Sequence, residues 1–225
     1  VTKSSPPPSS LSRLLNGNLE LTLTVPWNRV HAAYESAVAE AVADAELPGF
    51  RKGKAPRNLV EPKLDRSHTV SHALNHLIPK EYAAAIKKHS LKPLLNPQIK
   101  IVSGKESEDW VFSAVTCEAP TVTLPKKLAP LDKLIPACRT LIPDLLVEEE
   151  ANHRLNALVE NLTRLGTSVD QYLSTKKLAT APELKTQLAS QARTDLTTEF
   201  VLMEVQKTQK LGHRAKTLEF LKSLI

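Results

Sequence analysis

The stretch with the most chemistry-capable residues is Gly49-Phe50-Arg51-Lys52-Gly53-Lys54-Ala55-Pro56. Gly49 and Gly53 permit backbone angles that other residues avoid. They bracket an aromatic ring and cations between two predicted helices. A core phenylalanine belongs on a helical face, whereas one in a glycine-flanked loop suits an interface anchor, with charge-assisted contacts from its Arg and Lys neighbours. The loop is not a nucleotide cradle, because no Ser or Thr follows the lysine and no strand precedes the loop. Residues 49–63 carry Arg51, Lys52, Lys54, Arg57 and Lys63 against Glu61 alone. Such a focus of charge is an electrostatic footprint for a polyanion, or else a solvated loop.

His68, His72 and His76 recur every four residues on a predicted helix, which sets all three on one face. Adjacent pairs could bind a metal, but no carboxylate or cysteine completes an obvious site. The stripe therefore reads as a polar helix face, and no metal or other cofactor is expected. Cys117 and Cys138 lack metal spacing and a neighbouring histidine, so they point to a reducing compartment rather than to a disulfide framework. Serines lie in loops and caps, and carboxylates are scattered. No catalytic residues are expected.

The elements that must position the loop follow from periodicity. Leu19, Leu21, Leu23 and Val25 alternate with polar residues, predicting a half-buried strand. Pro26 opens a helix carrying Val30, Tyr34, Ala37, Val38, Ala41 and Val42 on one face. Leu47-Pro48-Gly49 ends it. A short helix is predicted over 57–64 and a longer one over 69–89, kinked or split by Pro79. Ile99 and Ile101, then Val111, Ser113 and Val115, predict two more strands with a turn at Ser103-Gly104-Lys105. This order implies an α+β fold: a small antiparallel sheet with helices on one side, over 18–124. Residues 1–17, with consecutive prolines among serines, read as a disordered tail. Pro125, Pro130 and Pro136 mark 125–142 as an extended linker. From 143 to 225 the pattern is helical: Ala151, Leu155, Leu158, Leu162 and Leu165 form a seam. Ser168 with Gln171 and Thr180 with Glu183 spell capping boxes. The last two helices carry Phe200, Met203, Phe220 and Leu221, candidates for apolar residues left exposed to bind other chains.

Of the 225 residues, 41% are hydrophobic and 24% charged, so a packed core is expected and wholesale disorder is not. Aromatics at 4% and only 6 glycines disfavour β-sandwiches and phosphate-cradling folds. No apolar run is long enough to span a membrane, and no signal peptide is visible.

The Gly-Phe-Arg-Lys-Gly-Lys-Ala-Pro stretch resembles the ribosome-binding signature of trigger factor, a bacterial chaperone family. The likeness extends over about 19–124 and ends at Val122-Thr123-Leu124-Pro125. A second stretch is similar to the first arm of that family's peptide-binding domain: Ile142-Pro143-Asp144-Leu145-Leu146-Val147-Glu148-Glu149-Glu150, Gly166-Thr167-Ser168 with Tyr172-Leu173, and Phe200-Val201-Leu202. The resemblance implies a cytoplasmic, ATP-independent chaperone. Gly49, Phe50, Arg51, Lys52, Gly53 and Lys54 would bind the large ribosomal subunit, protein and rRNA, beside the tunnel exit. The helical domain would shield nascent or unfolded chains, and the docking domain would form a homodimer. Members commonly carry a prolyl-isomerase domain between these parts. The short 125–142 segment leaves no room for one, so no enzyme activity is expected. The helical domain also looks short, and the net charge of +6 departs from an acidic norm. Two other readings are an rRNA-binding assembly factor and a SurA-like free holdase.

Overall fold

The computed structural model describes residues 9–176 and 180–224. The chain divides into two compact units: Val1–Ser12, Leu19–Lys92 and Asn96–Thr116 in the first, and Arg13–Asn18, Pro93–Leu95 and Cys117–Ile225 in the second.

The first unit is α+β. Strands β1 (Ser9–Arg13), β2 (Leu19–Val25), β3 (Gln98–Ser103) and β4 (Trp110–Thr116) form one sheet in the order β1-β2-β4-β3. β2 and β4 pair antiparallel, with Leu21 opposite Ala114 and Leu23 opposite Phe112. The β3–β4 hairpin carries an irregularity between Ile101 and Ser103, the kind of bulge that bends an edge strand. Helices α1 (Trp27–Asp44) and α3 (Arg66–His89) pack on each other. Between them come α2 (Arg57–Val60) and a 3-10 turn at Glu61–Lys63. The alternation in β2 is borne out: Leu19, Leu21, Leu23 and Val25 are all buried, together with Phe112, Ala114, Val30, Leu74 and Leu77.

The structure sharpens three sequence readings here. On β4, Phe112 and Ala114 are each 0% exposed and Ser113 is buried as well, while Val111 and Val115 are half-buried. β4 is interior to the sheet, and Phe112 and Ala114 sit opposite the fully buried Leu23 and Leu21. The helix starts at Arg66, not near Thr69, because Asp65 caps it by accepting from the Ser67 and His68 amides at 2.8 and 3.3 Å. Of the two outcomes expected at Pro79, a kink or a split, the split does not occur: the helix runs through Pro79 as one element. The missing amide removes one ladder bond, and burial of Leu77 and Ala85 on either side holds the helix together.

The tail reading is corrected for residues 9–17. Ser9–Arg13 is the edge strand β1, with Ser9 buried and its hydroxyl 3.2 Å from His89 Nε2. The proline run lies outside the described residues. In the second unit, the turn after β1 supplies caps. The Leu145 amide donates to Asn18 Oδ1 at 3.0 Å and the Asp144 amide to the Asn16 carbonyl at 3.1 Å. These serve helix α5 (Asp144–Arg164), which has no side-chain cap on Pro143 and would otherwise begin with unsatisfied donors.

The extended-linker reading of 125–142 is corrected as well. Val122–Thr123 (β5) pairs with Arg139–Thr140 (β6), and Leu131–Ala137 forms helix α4. Pro130 stands at the N-cap and Pro136 in the last turn. An N-cap proline lies outside the ladder and Pro136 follows only one full turn, so little hydrogen bonding is lost. Leu134, 0% exposed, plugs a core with Val201, Leu202, Val205 and Leu221. The remaining helices are α6 (Val169–Lys176), α7 (Ala181–Thr208) and α8 (Arg214–Lys222). Both capping boxes form at least in part: Ser168 and Gln171 exchange side-chain-to-backbone bonds at 2.9 and 3.2 Å, and Thr180 accepts from the Glu183 amide. α7 has 28 residues, about 42 Å at the helical rise. A further core joins Ile142, Val147 and Ala192, with Phe200 packed against it.

Candidate functional site

Residues 45–56 connect α1 to α2 without regular structure. Their shape is set by two positive-φ glycines and a few backbone bonds. Gly49 has φ +88° with open space around it. The Phe50 amide donates to the Leu47 carbonyl at 3.0 Å and closes a turn. Gly53 has φ +70°, and its amide donates to the Ala45 carbonyl at 3.1 Å. A Cβ there would sit 2.3 Å from the Ala43 carbonyl oxygen, so only glycine fits against the end of α1. Ala55 is buried and anchors the far end; Pro56 caps α2.

Between these anchors the side chains face outward. Phe50 is 43% exposed, and Arg51, Lys52 and Lys54 are exposed. Lys52 Nζ lies 3.6 Å from the Asp44 carboxylate. Among the described residues, Arg51 and Lys54 have no ion-pair partner. The structure therefore brings the predicted loop residues into one exposed patch: an aromatic ring followed by cations, on a backbone bent at Gly49 and Gly53.

Arg57, counted in the same basic stretch, does something else. Its guanidinium is forked between Glu35 of α1, at 2.6 and 3.1 Å, and Glu61, at 2.8 and 3.2 Å. These bonds push the Arg57 pKa up and hold both carboxyls below their ordinary range. Arg57 thus ties α2 to α1 beneath the loop. The 57/61 pairing has the legible i,i+4 spacing; the Glu35 contact, 22 residues away, has none.

The helical candidates divide. Leu221 is 2% exposed inside the α4–α7–α8 core, so the expectation that it stays exposed is corrected. It lies on the inward stripe of α8, beside Leu218. Phe200 and Phe220 are half-buried against cores, and Met203 is 55% exposed. Along α5 the seam is buried at Ala151 and Leu162 but open at its C-cap Leu165, 76% exposed; Val159, off the seam, is also exposed. Neither is among the exposed candidates: Leu165 counts in the seam, and a seam read from spacing gives no sign of where its partner helix stops.

No nucleophilic set emerges among the described residues. Burial pushes up the thiols of Cys117 and Cys138, away from reactive thiolates. A cleft of 340 Å³ in the first unit is lined by Trp27, His31, Tyr34, Val70, Leu74 and Trp110 and rimmed by the Arg66–Glu106 pair at 2.9 Å. The metal-competent group that the structure does assemble is Glu40, His72 and His76. No described helix is long and apolar enough to cross a membrane.

Comparison with known proteins agrees with the sequence resemblance. The family described as bacterial trigger factor protein matches residues 10–133, and its C-terminal family matches residues 126–219. A trigger factor of Mycolicibacterium smegmatis is 32% identical over 118 residues, covering 52% of this chain and 25% of that protein. One from Mycobacterium sp. (strain KMS) is 29% identical over 163 residues, covering 72% and 32%. One from Staphylococcus epidermidis is 29% identical over 151 residues, covering 67% and 34%. The chain thus spans a quarter to a third of the length of these relatives. A solved structure of the trigger factor chaperone, concerned with promiscuous substrate recognition in folding and assembly, aligns at a TM-score of 0.41 and 19% identity, covering 68% of this chain and 35% of that one.

Proposed function

The chain belongs to the bacterial trigger factor family, and from that premise we propose that it is an ATP-independent, ribosome-associated chaperone of the cytoplasm. The observation that carries the reading is the exposed Phe50-Arg51-Lys52 patch on the glycine-bent loop between α1 and α2. A solvated loop of purely structural purpose needs no aromatic ring at 43% exposure beside Arg51 and Lys54, cations without an ion-pair partner among the described residues. Ring and cations together fit a surface of protein and phosphate, which is what the large ribosomal subunit offers beside its tunnel exit. The helical unit is the client-holding part. Val159, Leu165 and Met203 supply exposed apolar contacts, and such weak, non-directional contacts suit clients that differ and must leave.

The two family matches overlap at residues 126–133. No stretch remains between them for an inserted isomerase domain, and the chain is proposed to lack prolyl-isomerase activity. Acceleration of Xaa-Pro isomerisation in a peptide assay would defeat that part. Homodimer formation belongs to the same proposal and is read by analytical ultracentrifugation.

The test is co-sedimentation with bacterial ribosomes, comparing wild type with Phe50→Ala/Arg51→Ala/Lys52→Ala. Pelleting of the wild type and its loss in the triple variant is the expected result. Equal behaviour of the two proteins would show the loop to be structural. Steep salt-dependent binding to naked RNA, with no preference for whole ribosomes, would instead favour an rRNA-binding assembly factor.

A further inference from the structure

Helices α1 and α3 approach through small buried residues, Ala37 and Ala73, each 4% exposed. At the rim of that contact Glu40 of α1 faces the histidine stripe of α3. Its Oε2 lies 3.7 Å from His72 Nδ1. The His72 and His76 rings are edge-on, with centroids 4.9 Å apart. One donor atom from each of Glu40, His72 and His76 falls within 4.8 Å of the other two. These three side chains line a recess of 210 Å³, with Ala37, Ala73 and Leu77 also on its wall.

We infer that Glu40, His72 and His76 form a binding site for a divalent transition-metal cation of zinc's class. Two imidazoles one helical turn apart and a carboxylate are the donors that such a cation takes, at bond lengths of about 2.0–2.2 Å. Around a tetrahedral ion the donors stand roughly 3.4 Å apart. The trio must therefore close by at most about 1.4 Å, a movement within reach of side-chain rotation because Glu40 and His76 are exposed and His72 is half-exposed. Three protein donors leave a fourth position for water. Lys80 also reaches the recess, and its long stem lets the ammonium swing into solvent. His68 and Asp44 lie one turn further along the same groove; Asp44 is already engaged by Lys52. The bound ion would pin α1 to α3 one turn before Asp44, at the root of the exposed loop.

The test is calorimetric titration of the full chain with zinc chloride. Wild type is compared with Glu40→Gln, His72→Gln/His76→Gln and, as a control, His68→Gln. One equivalent is expected to bind. Binding is lost in the double histidine variant and unchanged in His68→Gln. In Glu40→Gln it weakens at least roughly tenfold, since even partners outside the ligand shell are worth 10–100-fold. Zinc should also raise the thermal midpoint of the wild type and not that of the double variant, which checks folding in the same experiment. Absence of uptake would overturn the site. So would uptake that survives loss of both histidines, or uptake indifferent to Glu40→Gln, which would reduce the group to a surface histidine pair. Ribosome pelleting is a separate readout, so either proposal can fail without the other.

Discussion

The exposed loop of the first unit and the apolar stripes of the second were candidates of the same kind: side chains expected to face outward and touch another molecule. They fare differently. Phe50, Arg51 and Lys52 stand on a loop whose bend is set by Gly49 and Gly53, and their exposure follows from that local geometry. Phe200, Met203, Phe220 and Leu221 sit on helices, where exposure depends on whether another helix arrives. One of the four is fully in the core, two are half-buried and one is open. A contiguous site on a bent loop is set by its own neighbours. A dispersed apolar surface is whatever packing leaves uncovered.

Substitutions can sharpen that contrast. Leu221→Ala should have the largest effect, a loss of about 2–5 kcal/mol in denaturant unfolding, because it opens a cavity beside Leu134 and Val205. A loss under 1 kcal/mol would return Leu221 to the exposed class. Next comes Gly53→Ala. Its positive φ alone costs about 1–2 kcal/mol, and the 2.3 Å approach to the Ala43 carbonyl adds to it. Gly49→Ala bears only the conformational part, so the two variants, compared by thermal unfolding, separate strain from clash. The Phe50/Arg51/Lys52 triple alanine should leave stability within about 0.5 kcal/mol per site, whatever it does to ribosome pelleting. Met203→Ala should be equally mild in unfolding. An effect above about 2 kcal/mol would place it in a core.

The smallest effect concerns acid. Glu35 and Glu61 hold their protons less tightly than the ordinary carboxyl value of 4.5, first because Arg57 hydrogen-bonds to each. Their contribution to stability is therefore complete above that value and is lost as pH falls through the lowered folded values. A chemical-denaturation series from pH 6 to 3 should show a slightly shallower decline for Arg57→Gln than for wild type. Identical slopes would mean the fork is too exposed to matter.

Residues near in sequence determined much of this protein by themselves. The alternation of Leu19 to Val25 specified a strand with one buried face, because the side-chain period of a strand is two. Ser168 with Gln171, and Thr180 with Glu183, specified helix starts, because a cap reaches only three residues. The eight residues from Gly49 to Pro56 specified an exposed bent loop and carried the family resemblance. Tertiary structure decided what depended on distant partners. It drew Ser9–Arg13 into the sheet as an edge strand, despite a serine-rich sequence. It folded the proline-rich 125–142 segment around Leu134, because the apolar face of α4 met α7 and α8. It made Arg57, one cation of a basic stretch in the sequence, into a brace by placing Glu35 opposite, and it brought Glu40 to His72 and His76 across 32 and 36 residues. No local rule reaches that far: contacts between helices depend on where whole elements pack, and a one-dimensional pattern records the face an element buries, not the partner that covers it.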